Sequence, residues 1–504
     1  MPDKTASPQE FIKVSGVDKV LEELKKQIRA KHPDGFIISD VYDDKGNQYL
    51  DLVQEGGGVW GIALVGYIYI LEKMGIRFFS LAGTSAGAIN TMLIAVTGNV
   101  EDEKAEKILE HMVGLDLNSL VDGKKNKGSW NKFVDWIVQK LMIKKDSIRS
   151  LINLFHWALV LFLFLAAGSF IGNFLIRHSY SMWLGLVPIL LMLVFLVIFI
   201  VINKRFREFS SSGYGLNEGE VFRSWINDTI ARHTIENDNS HNPIVTLEDF
   251  SNHFNRQVPN LQVRTSGNFR STSDTPPNGS KRMIAIITCD ITSQRKIELP
   301  RMWDLYWKDQ QGVRPGDMVR ASMSIPIFFE TYTVNVAEPN SKWEIWNKHL
   351  NWRNKQIPDS VNFVDGGTLS NFPLNVFYNP NYPVPRMPTL GVRLSGSKTE
   401  DNPGGSKTFF EYANSIFSTI RFYYDRDFTI KNRAFELGVK TVDLTGHSSL
   451  NFFMENSEKI LLFRKGAMAA AEFLLEFDWQ NYKEERSKNI GIEQDMRSNP
   501  NNLK

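Results

Sequence analysis

Chemistry-bearing residues concentrate in one stretch, Leu52–Ala95. It contains Gly83-Thr84-Ser85-Ala86-Gly87, a serine between two glycines, with a β-type run before it and an apolar helical run after it. A nucleophilic serine needs that setting, because a sharp strand-to-helix turn lifts the hydroxyl clear of the sheet and flanking glycines permit close approach. The helix expected over Ala86–Val96 begins beside Ser85, so its first amides and its dipole favour an anion developing there. About thirty residues earlier lies Glu55-Gly56-Gly57-Gly58-Val59-Trp60-Gly61. Consecutive glycines expose backbone N–H groups and let a tetrahedral intermediate come close, as an oxyanion hole requires. Gly56, Gly58 and Gly61 also satisfy the spacing of a dinucleotide-binding turn, which calls for an acidic residue ending the next strand. That strand ends at Leu81-Ala82-Gly83, without one, so the oxyanion reading is preferred.

A serine nucleophile needs a base. Asp365 closes an apolar run in Val364-Asp365-Gly366-Gly367, at a strand end, where ligands gather in α/β sheets. It could contact Ser85 directly. In the chain order Ser, Asp, His it could instead orient His447, the only histidine after it. A carboxyl acting alone is a weak base unless burial raises its pKa. The bland alternative for Asp365 is a turn-forming Asp-Gly.

The elements that would carry these residues alternate. Strand-like runs occur at Tyr49–Gln54, Ile76–Ala82, Arg282–Ile291, Val361–Val364 and Thr389–Leu394. Most are continuously apolar, as in parallel strands covered on both faces. Helical stretches are expected at Val59–Met74, Ala86–Val96, Val100–Val113, Gly316–Met323 and Lys407–Leu437, which together argue an α/β architecture. Asn255–Ser280, Ala337–Asp359 and Ser395–Ser406 read as loops, and Gln480–Lys504 as a loose polar tail. Val17–Ala30 reads as a short amphipathic helix, and the polar N-terminus as no signal peptide.

These motifs, in this order, resemble the patatin-like phospholipase family. The resemblance rests on the glycine run (55–61), the Gly-Thr-Ser-Ala-Gly turn (83–87), Thr288-Cys289-Asp290-Ile291-Thr292, the stretch Val319–Phe328, and Asp365-Gly366-Gly367. It implies a three-layer α/β sandwich with a mostly parallel central sheet. It also implies a Ser85–Asp365 dyad without histidine, in an enzyme that hydrolyses lipid acyl esters with neither metal nor cofactor. In that reading Gly57 and Gly58 supply oxyanion amides, Gly56 and Gly61 shape the loop, Gly83 and Gly87 frame the nucleophile, and Gly366 and Gly367 follow the base. One departure is Trp60, where the family commonly carries Arg or Lys.

Composition sets the surroundings. The chain has 58 Lys+Arg against 56 Asp+Glu in 504 residues, a balance that argues against a nucleic-acid partner. The single cysteine, Cys289, excludes an internal disulfide framework. Hydrophobic residues make up 42%, but they are unevenly spread. Between Ser150 and Asn203 the only formal charge is Arg177, and two apolar runs, Leu151–Ile176 and Tyr180–Ile202, are each long enough to cross a bilayer. The expectation is a transmembrane helical hairpin; the alternative is a pair of buried helices. Lys144, Lys145 and Arg149 before it, and Lys204, Arg205 and Arg207 after it, place both outer ends in the cytoplasm. The expected organisation is an extension (1–48), a first catalytic part (49–145), the hairpin (146–207), a second catalytic part (208–480) and a tail (481–504). The partner would be membrane lipid; oligomeric state is left open.

Overall fold

A computed structural model describes residues 7–121, 213–237, 243–255, 260–264, 281–379, 384–396 and 409–498, with a few isolated positions between 122 and 212. The chain forms two compact units. The larger comprises residues 1–121, 219–325 and 331–504; the smaller comprises 122–218 and 326–330.

In chain order the described helices are α1 (Pro8–Ser15), α2 (Val17–Lys31), α3 (Gly61–Lys73), α4 (Ala86–Val96), α5 (Ala105–Gly114), α6 (Glu220–Asn237), α7 (Leu247–Phe254), α8 (Pro315–Ser322), α9 (Trp343–Leu350), α10 (Phe409–Lys431), α11 (Asn456–Glu476) and α12 (Trp479–Ser498). The strands are β1 (Val41–Tyr42), β2 (Gln48–Gln54), β3 (Ile76–Thr84), β4 (Gly215–Asn217), β5 (Gln262–Val263), β6 (Ile284–Asp290), β7 (Arg295–Leu299), β8 (Ile327–Phe329), β9 (Tyr332–Asn335), β10 (Ser360–Asp365), β11 (Thr389–Ser395) and β12 (Val439–Asp443).

The larger unit is a mixed α/β structure. Strands β12, β11, β2, β3 and β6 pair in parallel in that order. β10 then runs antiparallel to β6, as do β9 to β10 and β7 to β6. The sheet is therefore mixed, and its parallel half holds the continuously apolar strands. All nine residues of β3 and all seven of β6 are buried. Both α3 and α4 are buried along nearly their whole lengths, as helices sandwiched between layers must be. α3 packs on α11 through two glycines. A β-carbon at Gly66 would lie 2.0 Å from Phe463 O, and one at Gly466 only 1.8 Å from Ala63 O. In the smaller unit β4 pairs in parallel with β8.

Three expectations change. Within the expected loop 337–359, Trp343–Leu350 is helical, with Trp346 fully buried against Tyr306 and Trp352. The sheet has an antiparallel half. The expected loose tail is the helix α12, whose Trp479, Tyr482, Lys483 and Arg486 are buried. That helix is clamped: Trp479 Nε1 donates to Asp40 Oδ1 at 2.7 Å and Lys483 Nζ lies 2.9 Å from Asp40 Oδ2. Breaking a buried pair strands the remaining charge. Lys483→Met is therefore expected to destabilise the protein by about 3–5 kcal/mol in urea unfolding, and the Asp40→Asn/Lys483→Met double variant by less.

The expected hairpin lies outside the described residues apart from isolated positions. Of these, Val160, Leu193, Leu196, Val197 and Ile200 are helical and their side chains exposed. Among the described residues no helix is long and apolar enough to cross a membrane.

Candidate active site

The sheet brings Ser85 and Asp365 together by a simple device. β3 is parallel to β6, and its last residue, Thr84, pairs with Ile287. β10 is antiparallel to β6, and its last residue, Asp365, pairs with Thr288. The two strands thus run toward each other and end on consecutive residues of β6. Ser85 leaves one strand end at that point and Asp365 closes the other.

Ser85 has φ 53° and ψ −119°, a backbone conformation that non-glycine residues seldom adopt and that marks a sharp elbow. Its amide donates to Ser322 Oγ at 2.9 Å, and Ser322 in turn donates to Ile287 O at 2.6 Å. The end of α8 therefore braces the turn from below. Gly83 is obligatory here: a β-carbon would lie 2.4 Å from Gly87 O. Gly87 is equally confined, 2.3 Å from Gln54 O. The Ser85 hydroxyl lies 3.2 Å from Met323 Sδ.

Asp365 is held by its own loop. Its amide donates to Ser324 O at 2.8 Å, and its Oδ1 accepts from the Gly367 amide at 2.6 Å. Burial pushes its pKa up from the ordinary aspartate value, partly offset by the neighbouring Ser85 hydroxyl, the charge of Arg421 and the Gly367 amide. Gly366 fits only as glycine, since a β-carbon would sit 2.2 Å from Ile287 O.

The four glycines of the other loop have different jobs. The Gly56 amide is already engaged, donating to Asn371 O at 3.0 Å. Gly57 and Gly58 have amides with no acceptor among the described residues. Gly58 has φ 56°, and a β-carbon there would lie 2.1 Å from Ser449 O. Gly61 begins α3 and has room: its nearest neighbour would be Ala86 Cβ at 3.5 Å. Trp60 is buried over Gly57 and Gly396, and its Nε1 has no partner among the described residues.

Several residues that secure the site carried no signal of their own in the sequence. Asn371 Nδ2 donates to Glu55 Oε1 at 2.9 Å and to Gly56 O at 3.0 Å, tying the glycine loop to the Asp365 loop. Glu55 also accepts from the Leu394 amide at 2.6 Å, and burial pushes its pKa up to about 7. From α10, Arg421 donates to Asn371 Oδ1 at 3.2 Å, and Asp425 accepts from Ser370 Oγ at 2.7 Å and from the Phe372 amide at 2.8 Å. Ser322 lay within the motif Val319–Phe328, but only the fold gives it a role. His447 pairs with Glu458 at 2.9 Å rather than with Ser85 or Asp365.

An apolar cavity adjoins this constellation. Gly58, Ile62, Ile89, Met323, Phe452 and Met454 are among the residues that line it. Among the described residues no cluster of three or more His, Cys, Asp or Glu could hold a metal ion.

A family model of patatin-like phospholipases matches residues 52–378, from the strand before the glycine loop to beyond the Asp-Gly-Gly turn. The chain belongs to the patatin-like phospholipase family. As a patatin-like phospholipase it is a lipid acyl hydrolase acting on ester bonds. It is also similar to an uncharacterized protein of Bacillus subtilis (strain 168), YqhO, with 23% identity over 439 residues, covering 86% of this chain and 100% of that protein. The crystal structure of VipD from Legionella pneumophila covers 87% of this patatin-like chain and 70% of its own, at TM-score 0.35 and 14% identity.

Proposed function

We propose that this lipid acyl hydrolase is a membrane-anchored phospholipase of the A type, working through Ser85 and Asp365. Asp365 accepts the Ser85 proton as Oγ attacks the ester carbonyl carbon. The Gly57 and Gly58 amides stabilise the oxyanion. Collapse breaks the ester bond, the leaving alkoxide takes the proton from Asp365, and an acyl-serine forms. Water then attacks, giving its proton to Asp365. Release of the fatty acid returns that proton to Ser85.

The observation that carries this reading is the convergence of the two strand ends on Ile287 and Thr288, beside two glycine amides with no acceptor among the described residues. The apolar cavity next to Gly58 and Met323 suits an acyl chain. Anchoring is supported by the runs 151–176 and 180–202 and by the exposed apolar side chains of Leu193, Leu196, Val197 and Ile200. The flanking lysines and arginines put the catalytic unit on the cytoplasmic side. Tethering raises the effective concentration of a substrate that lives in the bilayer.

The test is covalent labelling by a fluorophosphonate together with fatty-acid release from phospholipid vesicles. Wild type is expected to label and to release fatty acid, and Ser85→Ala to do neither. Labelling of Ser85→Ala at the wild-type rate would sink the assignment.

A further inference from the structure

Surface helices of globular proteins turn an apolar stripe inward and a polar one outward. α10 packs Phe428 against the core and yet turns a second apolar stripe outward. Ile416, Ile420, Tyr423 and Ile430 recur with helical periodicity and are 44%, 60%, 66% and 67% exposed. The opposite face carries Arg421, Asp425 and Thr429, of which Asp425 and Thr429 are buried. Those polar groups have work to do inside. Arg421 and Asp425 grip Asn371, Ser370 and the Phe372 amide, on the loop that follows Asp365. Thr429 Oγ1 bonds back to Asp425 O at 3.0 Å. On the outward side the apolar side chains are accompanied by the ion pair Lys431–Asp427 and by the exposed Ser415, Thr419 and Arg426.

We propose that α10 is an interfacial docking helix, whose outward stripe lies in the surface of a lipid bilayer while its inward face holds the loop of the catalytic base. The coupling to catalysis rests on the Ser85–Asp365 reading above. Three features choose lipid over a second copy of the chain. The family's substrate is a lipid ester, and α10 touches the loop of the proposed base, so docking here brings the site to the lipid surface. Tyr423 and the half-exposed Tyr424 stand among aliphatic residues, the mixture found where one end of a side chain is apolar and the other wet. Exposed Arg426 and Arg433 flank the stripe and suit anionic head groups.

The test needs a local readout, since another segment could hold the chain on a membrane. Cys289, the single cysteine, is buried and its thiol is pushed up to about 12, so an introduced surface cysteine is labelled selectively. In full-length Ser85→Ala protein, an environment-sensitive dye is placed on Ile416→Cys, Ile420→Cys or Tyr423→Cys. A control carries it on Met468→Cys, an exposed site on α11. In vesicles of phosphatidylcholine and phosphatidylserine, brominated acyl chains are expected to quench the α10 labels and spare the control. Absence of quenching at position 420 in membrane-bound protein overturns the proposal, as does shielding of that label by dimerisation without lipid. With Ser85 restored, Ile420→Asp/Tyr423→Asp is expected to lower vesicle phospholipid hydrolysis at least about tenfold. Hydrolysis of monomeric p-nitrophenyl butyrate should stay within about twofold. Equal losses on both substrates overturn the coupling. If wild type hydrolyses neither, the Ser85–Asp365 reading fails, while the quenching still decides docking.

Discussion

Replacing Asp365 by Asn is expected to lower ester hydrolysis by on the order of 10³-fold or more, the scale of a positioned general base, with the fold retained. The substitution is nearly isosteric. Its amide oxygen can still accept from the Gly367 amide, and it removes a buried carboxyl rather than stranding one. What it removes is the ability to accept the Ser85 proton. Asp365 is a better base than a solvated aspartate because burial raises its pKa. The direction of the pH dependence follows. Only the carboxylate can act, so kcat/KM falls with falling pH through a value above the ordinary aspartate pKa of 3.8. Arg421 pulls that value down, so Arg421→Gln is expected to move the acid limb to higher pH. A pH–rate profile checks both. An acid limb that ignores Arg421→Gln, or an Asn variant with near-wild-type activity, would remove Asp365 from the role.

The two residues of the proposed dyad stand out in the sequence because their signals are local. A glycine-flanked serine between a β-type run and a helix has few structural solutions. An Asp-Gly-Gly closing an apolar run marks a strand end. What ties them together was not legible, because it acts across the fold. Ser322 reaches the Ser85 amide from 237 positions away, and Asn371 reaches Glu55 from 316. A lone serine or asparagine gives no hint of such a partner. The same holds for α12, whose polar average hid a buried lysine paired with Asp40, 443 positions earlier. α9 escaped because it is eight residues long inside a stretch rich in Asn, Pro and charge. The antiparallel half of the sheet escaped for a different reason. Apolar runs show which strands are covered on both faces but not which way they run, and the reversal of β10 is what brings Asp365 to Ser85.

The glycine loop separates residues that the sequence had grouped, and Gly58→Ala tests the separation. At φ 56° alanine would occupy left-handed backbone, a cost of about 1–2 kcal/mol. Its β-carbon would also lie 2.1 Å from Ser449 O, the atom that accepts from the Val59 amide at 2.9 Å. Both problems are relieved by rotating the peptide between Gly57 and Gly58, and that rotation turns away the amides proposed to bind the oxyanion. The expected outcome is a loss of about 10²–10³ in kcat, the scale of one oxyanion donor, with little change in KM. Gly61→Ala is the matched control. Its β-carbon would meet Ala86 Cβ at 3.5 Å, Met112 Cε at 3.7 Å and Ala86 O at 3.8 Å, all ordinary contacts, at a residue that begins a helix. It is expected to keep activity within about threefold and to hold or slightly raise stability. Steady-state kinetics on a soluble ester, with thermal unfolding of both variants, decides the matter. If Gly58→Ala folds and turns over at the wild-type rate, the oxyanion is held elsewhere. The Ala86 and Gly87 amides that open α4 would then be the donors to examine, since those of Ala88 and Ile89 already donate to Ser85 O at 2.9 and 3.1 Å.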